Sequence, residues 1–368
     1  MGGRSILAVN SGSSSIKFAL FTLAPEPEPL SRGELHTDAR QTAAVELMNR
    51  ISTDVSRAPL AAIGHRIVHG GPDYYQPSVI TAAVVRTLEA LVPFAPNHLP
   101  DEIALIKALQ RSKPEVTQFA CFDTGFHHHL PDVAQRLPIP PTLASSGIRR
   151  YGFHGLSYAF LTRELERLGG PEAAHGRVVL AHLGSGSSLA ALHYRKSVDT
   201  TMGLTPLGGV VMSTRPGDLD PGVLIHVLRT MKPTTDQLEE MFSTQSGLLG
   251  ISNRTADMRE LLAEESTDAA CRLAVNSYCY EIRKRIGSYA AALGGLETLV
   301  FAGGIGEHAP AVRARVCDGL AFLGVQIDEP SNAANAPIIS KADARVTVRV
   351  IPTDEEKMIA YAAHTLLG

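Results

Sequence analysis

Four stretches set cationic and polar side chains among glycines: Gly64-His65-Arg66-Ile67-Val68-His69-Gly70-Gly71, Phe122-Asp123-Thr124-Gly125-Phe126-His127, Arg149-Arg150-Tyr151-Gly152-Phe153-His154-Gly155 and Ser213-Thr214-Arg215-Pro216-Gly217-Asp218. Glycine lets a backbone approach a ligand closely, and an arginine beside it is poorly explained by packing. The guanidinium fork suits a carboxylate or a phosphate, so each arginine reads either as a structural ion pair or as an anion ligand. Three small-residue turns add backbone N–H groups for an anion: Asn10-Ser11-Gly12-Ser13-Ser14-Ser15, Gly184-Ser185-Gly186-Ser187-Ser188 and Gly303-Gly304-Ile305-Gly306-Glu307. The last follows the apolar run Leu299-Val300-Phe301 and precedes a helix-like stretch at 309–320. A strand, a glycine turn and a helix N-terminus in that order suit a nucleotide. No GxxxxGK[ST] occurs and the glycine turns do not complete GxGxxG, so P-loop and dinucleotide-binding readings fail.

Other candidates have plainer explanations. Asp220-Pro221 reads as a helix N-cap with proline at the first helical position. Asp218-Leu219-Asp220 lacks the remaining ligands of a calcium loop. His127, His128 and His129 are adjacent and lack zinc-ligand spacing. Met202 and Met212 read as packing. Cys121, Cys271, Cys279 and Cys317 form no CxxC pair and read as reduced core thiols of a cytoplasmic protein.

These residues need a scaffold, and the pattern predicts an α/β one. Strand-like runs lie at 61–68, 117–122, 178–183, 188–194, 298–302 and 346–351. Helical periodicity appears near 81–92, 101–111, 155–168, 221–231, 256–265, 269–293 and 354–367, with 24–31 a loop or edge. Leu180 to Leu189 resembles Leu7 to Ile16: an apolar strand, a Gly/Ser turn, another apolar strand. Either one unit is duplicated, with two hairpin turns facing a common cleft, or such hairpins recur by chance. The 368 residues suit two domains or one large one. A net charge of −3 argues against a nucleic-acid-coating surface or a polybasic membrane patch. No apolar run reaches the roughly 18 residues of a membrane span, and the N-terminus does not read as a signal peptide.

Together, Asn10 to Lys17, His65 to Gly71, Phe122 to His127, Tyr151 to Gly155, His182 to Gly186, Asp199 to Leu207, Thr214-Arg215, Gly304 to Glu307 and Pro352 to Glu356 resemble the acetate kinase family, in order along essentially the whole chain. The resemblance implies a duplicated actin-like (ribonuclease H-like) two-lobed fold with a nucleotide cleft between the lobes. It implies an N-terminal lobe of 1–124 plus 356–368 and a C-terminal lobe of 125–355 for nucleotide and dimerisation. It implies a homodimer that uses ATP and Mg²⁺ to make acyl phosphate reversibly from acetate.

Carried over by position, Arg66 and Arg215 flank the acid carboxylate and the transferring phosphoryl. His154 donates to the phosphoryl and Asp123 lies beside it. Asn10, Ser13, Ser15 and Lys17 line the phosphate and metal side, and Glu355 is the magnesium carboxylate. His182, Leu183, Gly184, Ser185 and Gly186 hold the nucleotide phosphates. Asp257, Met258, Arg259, Gly304, Ile305 and Gly306 surround the adenosine. Val68, Asn97 and Pro206 line the pocket for the acid's alkyl group. The chain departs from the family's usual residues at Asn97, Leu99, Ser185, Ser213 and His308. Asn97 and Leu99 look like the family's Leu and Asn exchanged; either Leu99 moves into the pocket, or Asn97 widens or polarises it, or the acetate site is ordinary but weaker.

A carboxylic acid is ionised at neutral pH, so no base is needed to create the nucleophile. The obstacle is like-charge repulsion, roughly 4 kcal/mol for two unit charges at about 4 Å in a medium of effective dielectric about 20. Two arginines, a magnesium ion and His154 would offset it. A kinase for propionate or butyrate is the neighbouring alternative. A non-catalytic ATP sensor would not need Arg66, Arg215 and His154 together.

Overall fold

The computed structural model describes residues 3–12, 15–36 and 40–367. It divides into two compact units, one of Met1–His128, Phe153–Phe160 and Asp354–Gly368, the other of His129–Gly152 and Leu161–Thr353.

The first unit holds a sheet of β1 (Ser5–Ser11), β2 (Ile16–Thr22), β3 (Pro29–Leu35), β4 (Leu60–Ile67), β5 (Ser78–Val79) and β6 (Thr117–Phe122), ordered β3-β2-β1-β4-β6-β5. The pairs β1–β2 and β2–β3 are antiparallel, and β1–β4 and β4–β6 are parallel. The second unit holds β7 (Val178–Leu183), β8 (Ser187–His193), β9 (Lys196–Thr200), β10 (Thr298–Ala302) and β11 (Thr347–Val350), ordered β9-β8-β7-β10-β11. Here β7–β8 and β8–β9 are antiparallel, and β7–β10 and β10–β11 are parallel. The second sheet thus repeats the path β3-β2-β1-β4-β6 of the first, strand for strand. The two Gly/Ser hairpins occupy equivalent β1–β2 and β7–β8 turns, so the sequence repeat is a repeat of strand topology rather than a chance recurrence of hairpins.

Each sheet lies inside its own core. Successive side chains of a strand point to opposite faces. Leu7 and Val9 enter a cluster with Leu47, Leu105 and Leu109, while Ile6 and Ala8 enter another with Ile359, Ala360 and Ala363. With both faces covered, the middle of β1, Ile6 to Val9, is an unbroken apolar run. Helix Glu355–Leu367 lies close over β4 because position 64 is glycine: a Cβ there would sit 2.3 Å from Ile359 Cγ2. The C-terminal helix therefore belongs to the first unit, with Glu355 at its start. In the second unit, helix Ala269–Leu293 buries Cys271, Val275, Tyr278, Ile282, Ile286 and Tyr289 at helical spacing. Asp268 caps its first turn and Gly294, at φ 71°, ends it.

Asp220 accepts from Gly222 N–H at 2.8 Å ahead of Pro221, as an N-cap should. All four cysteines are buried and free, and Met202 and Met212 are fully buried. The glycine cluster after β10 departs from expectation. It is not a turn leading to one helix at 309–320; it forms helix Gly303–His308 itself, and a second helix spans Pro310–Cys317. Gly303, at φ 75°, turns the chain straight off the strand. Pro310, with no N–H, starts the next helix rather than extending the first. Strands β3 and β9 are edge strands whose polar, half-exposed residues carry little periodicity.

Candidate active site

In the first unit the site is built at the carboxyl ends of β4 and β6. Their parallel register sets Arg66 opposite Cys121 and Ile67 opposite Phe122, so Arg66 and Asp123 emerge at the same sheet end. Asp123 N–H donates to Ile67 O at 2.9 Å, which fixes the crossing. Arg66 Nε and Nη2 donate to Asp123 Oδ2 at 3.0 and 2.6 Å, and Nη1 stands 3.6 Å from Glu102 Oε1. Burial alone would lower the Arg66 guanidinium, but Asp123, Glu102 and Glu355 outweigh it and raise it, so it stays charged.

Asp123 is 1% exposed, and its Oδ1 is buried with no hydrogen-bond partner among the described residues. Gly155 N–H donates to Asp123 O at 3.0 Å, and a Cβ on Gly155 would sit 2.1 Å from that oxygen. Only glycine permits this approach, and it sets His154 next to Asp123 in the chain path. His154 has φ 58°, a sparsely populated region for a residue with a side chain. Asn10 Nδ2 donates to Glu355 Oε2 at 2.9 Å. Burial first, then the Asp123 charge, pushes the Glu355 carboxyl up to about 7, although Arg66 and Asn10 oppose it.

Lys17 is exposed and pairs in register with Asn10, so the two share a face of the β1–β2 ribbon. Ser15 Oγ donates to Glu34 Oε1 at 2.5 Å. Ser13 lies outside the described residues. Val68 is buried and its N–H donates to the Glu102 carboxylate at 3.1 Å. Asn97 lies exposed in the turn before helix Leu99–Ser112, whereas Leu99 is fully buried.

In the second unit, Arg215 Nη1 donates to Pro206 O at 2.8 Å. The β7–β8 turn is braced from within: Gly184 N–H reaches Gly186 O at 3.1 Å and Ser187 Oγ at 3.2 Å, and Ser187 meets Tyr278 Oη at 2.8 Å. Ser213 N–H donates to Ser185 O at 3.1 Å, which ties this turn to the Arg215 loop. A Cβ on Gly303 would sit 2.7 Å from Leu183 O, so the ends of β7 and β10 lie edge to edge, with Gly304, Ile305 and Gly306 following. Glu307 Oε1 accepts from Gly303 N–H at 2.8 Å and Thr353 N–H at 3.2 Å. Arg313, fully buried, donates to Gly306 O at 2.8 Å and Glu307 O at 3.0 Å, and is held by Asn332 and Asn335.

Asp257 caps helix Met258–Glu264 and is held low chiefly by its hydrogen bond with Arg259, whose side chain is 90% exposed. Met258 enters the core cluster that also holds Leu183, with Ile305 packed against it. His182 and Ser188 pair across the β7–β8 turn.

Arg66, Asp123, Asn10 and Glu355 are thus brought together in the first unit, and the 182–186 and 303–306 segments in the second. Arg150 proves structural, since it is spent on the carbonyls of Ala134, Thr200 and Thr201. Glu102, Glu307 and Arg313 were not singled out by sequence. For Glu102 a signal existed: with Leu99, Ile106 and Leu109 it falls on the buried stripe of its helix, a carboxylate on an apolar face.

Residues 31–361 match the model of the acetokinase family. An acetate kinase of Rhodopseudomonas palustris (strain TIE-1) is 42% identical, with 96% of each chain covered. The crystal structure of Porphyromonas gingivalis acetate kinase superposes with TM-score 0.88 at 32% identity, covering 99% of this chain and 100% of that one. A propionate kinase structure from Francisella tularensis subsp. tularensis SCHU S4 gives TM-score 0.89 at 32% identity, covering 98% of each.

Proposed function

The chain belongs to the acetokinase family and transfers phosphate between ATP and acetate, and we propose that it does so in one direct in-line step organised around Arg66. The observation that carries this is the Arg66–Asp123 fork. Asp123 occupies Nε and Nη2, which leaves the guanidinium oriented by a buried carboxylate rather than free to swing. A charge held in place before the reaction stabilises developing charge without reorganisation.

Arg66 and Arg215 neutralise the acid carboxylate and the phosphoryl oxygens, the latter arginine steadied by the Pro206 carbonyl. His154 donates to the phosphoryl in flight. Its left-handed backbone and the Gly155–Asp123 contact aim it. No side chain removes a proton from the acid, and no phosphorylated enzyme forms. Ser13, Ser15 and Lys17 serve the phosphates beside Asn10. His182 to Gly186 hold the nucleotide phosphates, and Asp257, Met258, Arg259, Gly304, Ile305 and Gly306 the adenosine. The acid's alkyl group is assigned to Val68 and Pro206, with Leu99 in the place first given to Asn97, because Leu99 is buried and Asn97 exposed.

Mg²⁺ fits these residues. Asp123 Oδ1 is an orphaned buried acceptor, and Glu355 is pushed up partly by Asp123, so a cation would relieve the repulsion between two acids that Arg66 offsets only in part. Asn10 and Glu355 are the residues assigned to hold it, and when bound it supplies positive charge to the phosphate oxygens.

The assembly is proposed to be a homodimer. Helix Pro221–Thr230 buries none of its residues, and Val223, Leu224, Ile225 and Leu228 are all exposed. Among the described residues no helix is long and apolar enough to cross a membrane. Four free buried thiols fit a cytoplasmic setting.

The test of the reaction is hydroxylamine trapping of acyl phosphate from MgATP with acetate, propionate, butyrate and glycolate. Acetate should give the highest kcat/KM. A folded sample that hydrolyses ATP but traps no acyl phosphate with any acid would overturn the reading.

A further inference from the structure

Among the buried charged groups outside the residues already assigned, Glu102 is the one that touches the acid side of the site. It lies in the first turn of helix Leu99–Ser112 and its side chain is 1% exposed. Both its oxygens face Val68 N–H, at 3.3 and 3.1 Å, and Oε1 stands 3.6 Å from Arg66 Nη1. Nη1 is the nitrogen that Asp123 does not occupy. One carboxyl therefore meets both Val68, which is assigned to the acid's alkyl group, and the free edge of Arg66, which is assigned to its carboxylate.

We propose that Glu102 is a positioning residue that sets how strongly Arg66 attracts the acid's carboxylate. This rests on the placement of Arg66 at the acid. The hydrogen bond to Val68 N–H holds the Arg66–Val68 segment in either protonation state, because a carboxyl C=O accepts as a carboxylate does. The charge is a separate lever. When ionised, Glu102 stands beside Nη1 as a rival anion and repels the incoming acid. When neutral, it leaves the Arg66 charge to the substrate. Burial pushes Glu102 up to about 8, with Arg66 and the Val68 amide pulling down and Asp123 and Asp101 pushing up. The lever therefore moves between neutral and mildly alkaline pH.

The experiment measures KM for acetate and for ATP separately from about pH 6.5 to about 9, in the wild type, Glu102→Gln and Glu102→Ala. In the wild type, acetate KM should rise severalfold toward alkaline pH while ATP KM does not follow. Glu102→Gln keeps the acceptor for Val68 and cannot ionise, so its acetate KM should stay flat. Glu102→Ala loses the acceptor as well, and its acetate KM should be about tenfold higher at every pH, with ATP KM within about twofold. An alkaline rise in Glu102→Gln equal to that of the wild type would overturn the proposal. So would an Ala variant that shifts both KM values alike. Glu102→Gln is nearly isosteric, so the test survives if the Ala variant does not fold. Arg66→Ala runs alongside: if it retains normal turnover, the assignment of Arg66 fails; if it is inactive while the Glu102 variants behave as wild type, only the Glu102 inference fails.

Discussion

Arg66 is the residue on which the electrostatics of the first unit turn. Three carboxylates, Asp123, Glu102 and Glu355, raise it, and it is the cation that pulls both Glu102 and Glu355 downward. Arg66→Ala and Arg215→Ala should each lower kcat by about 10²-fold or more with circular dichroism unchanged, because each removes charge stabilisation in the transition state. Arg66→Lys should recover little, since an ammonium cannot hold Asp123 through two nitrogens and offer a third to substrate. Turnover near normal in either alanine variant would refute its assignment. Glu102 also leaves a mark on stability. Its folded carboxyl, raised to about 8 by burial, binds a proton more tightly than the unfolded chain's ordinary 4.5. Stability from this group is therefore greatest in acid and declines as pH climbs through that interval. Glutamine has no proton to lose, so the Tm of Glu102→Gln minus that of the wild type should grow from about pH 5 to about pH 8. A constant difference would contradict the burial argument.

At the scale of elements, one glycine decides where a functional segment can lie. Gly303 has φ 75° and sits where a Cβ would come within 2.7 Å of Leu183 O. Gly303→Ala should cost about 1–3 kcal/mol of stability and push helix Gly303–His308 off β7, raising KM for ATP more than KM for acetate. Calorimetry and separate substrate titrations check this; an unchanged ATP KM would place the nucleotide elsewhere. The glycines themselves were visible in the sequence, but their backbone role was not. Gly303-Gly304-Ile305-Gly306 looked like a turn because glycine is a poor helix former. The helix forms because Glu307 accepts from the Gly303 amide and buried Arg313 takes the carbonyls of Gly306 and Glu307. Those supports come from positions 307 and 313 and from Asn332 and Asn335, and no local window contains them all.

For the whole molecule, the exposed apolar face of helix Pro221–Thr230 predicts its own assembly. Ile225 and Leu228 are 49% and 47% exposed. The double variant Ile225→Asp, Leu228→Asp should shift the sedimentation-equilibrium mass from dimer to monomer; an unchanged mass would locate the interface elsewhere or remove it. The α/β class, the long central helices, the four reduced thiols and the hairpin repeat were all legible in the amino-acid order. Each depends on local apolar period or on a short turn motif, and such signals are complete within about ten to twenty residues. Arg66 and Asp123 were conspicuous too, because charged side chains among glycines are poorly explained by packing, and the fold brings these two together. Tertiary structure alone decided which arginine is held by a buried carboxylate and which is spent on backbone carbonyls. Arg66 and Arg150 sit in similar glycine-rich contexts, yet one hydrogen-bonds a carboxylate fifty-seven positions away and the other four backbone carbonyls. It also decided that Leu99 is inside and Asn97 outside, and that Glu102 faces Arg66. These outcomes are set by the register of β4 with β6 and by the packing of helix Leu99–Ser112, which couple residues far apart in the chain; a sequence read in windows holds both partners but not the contact that joins them.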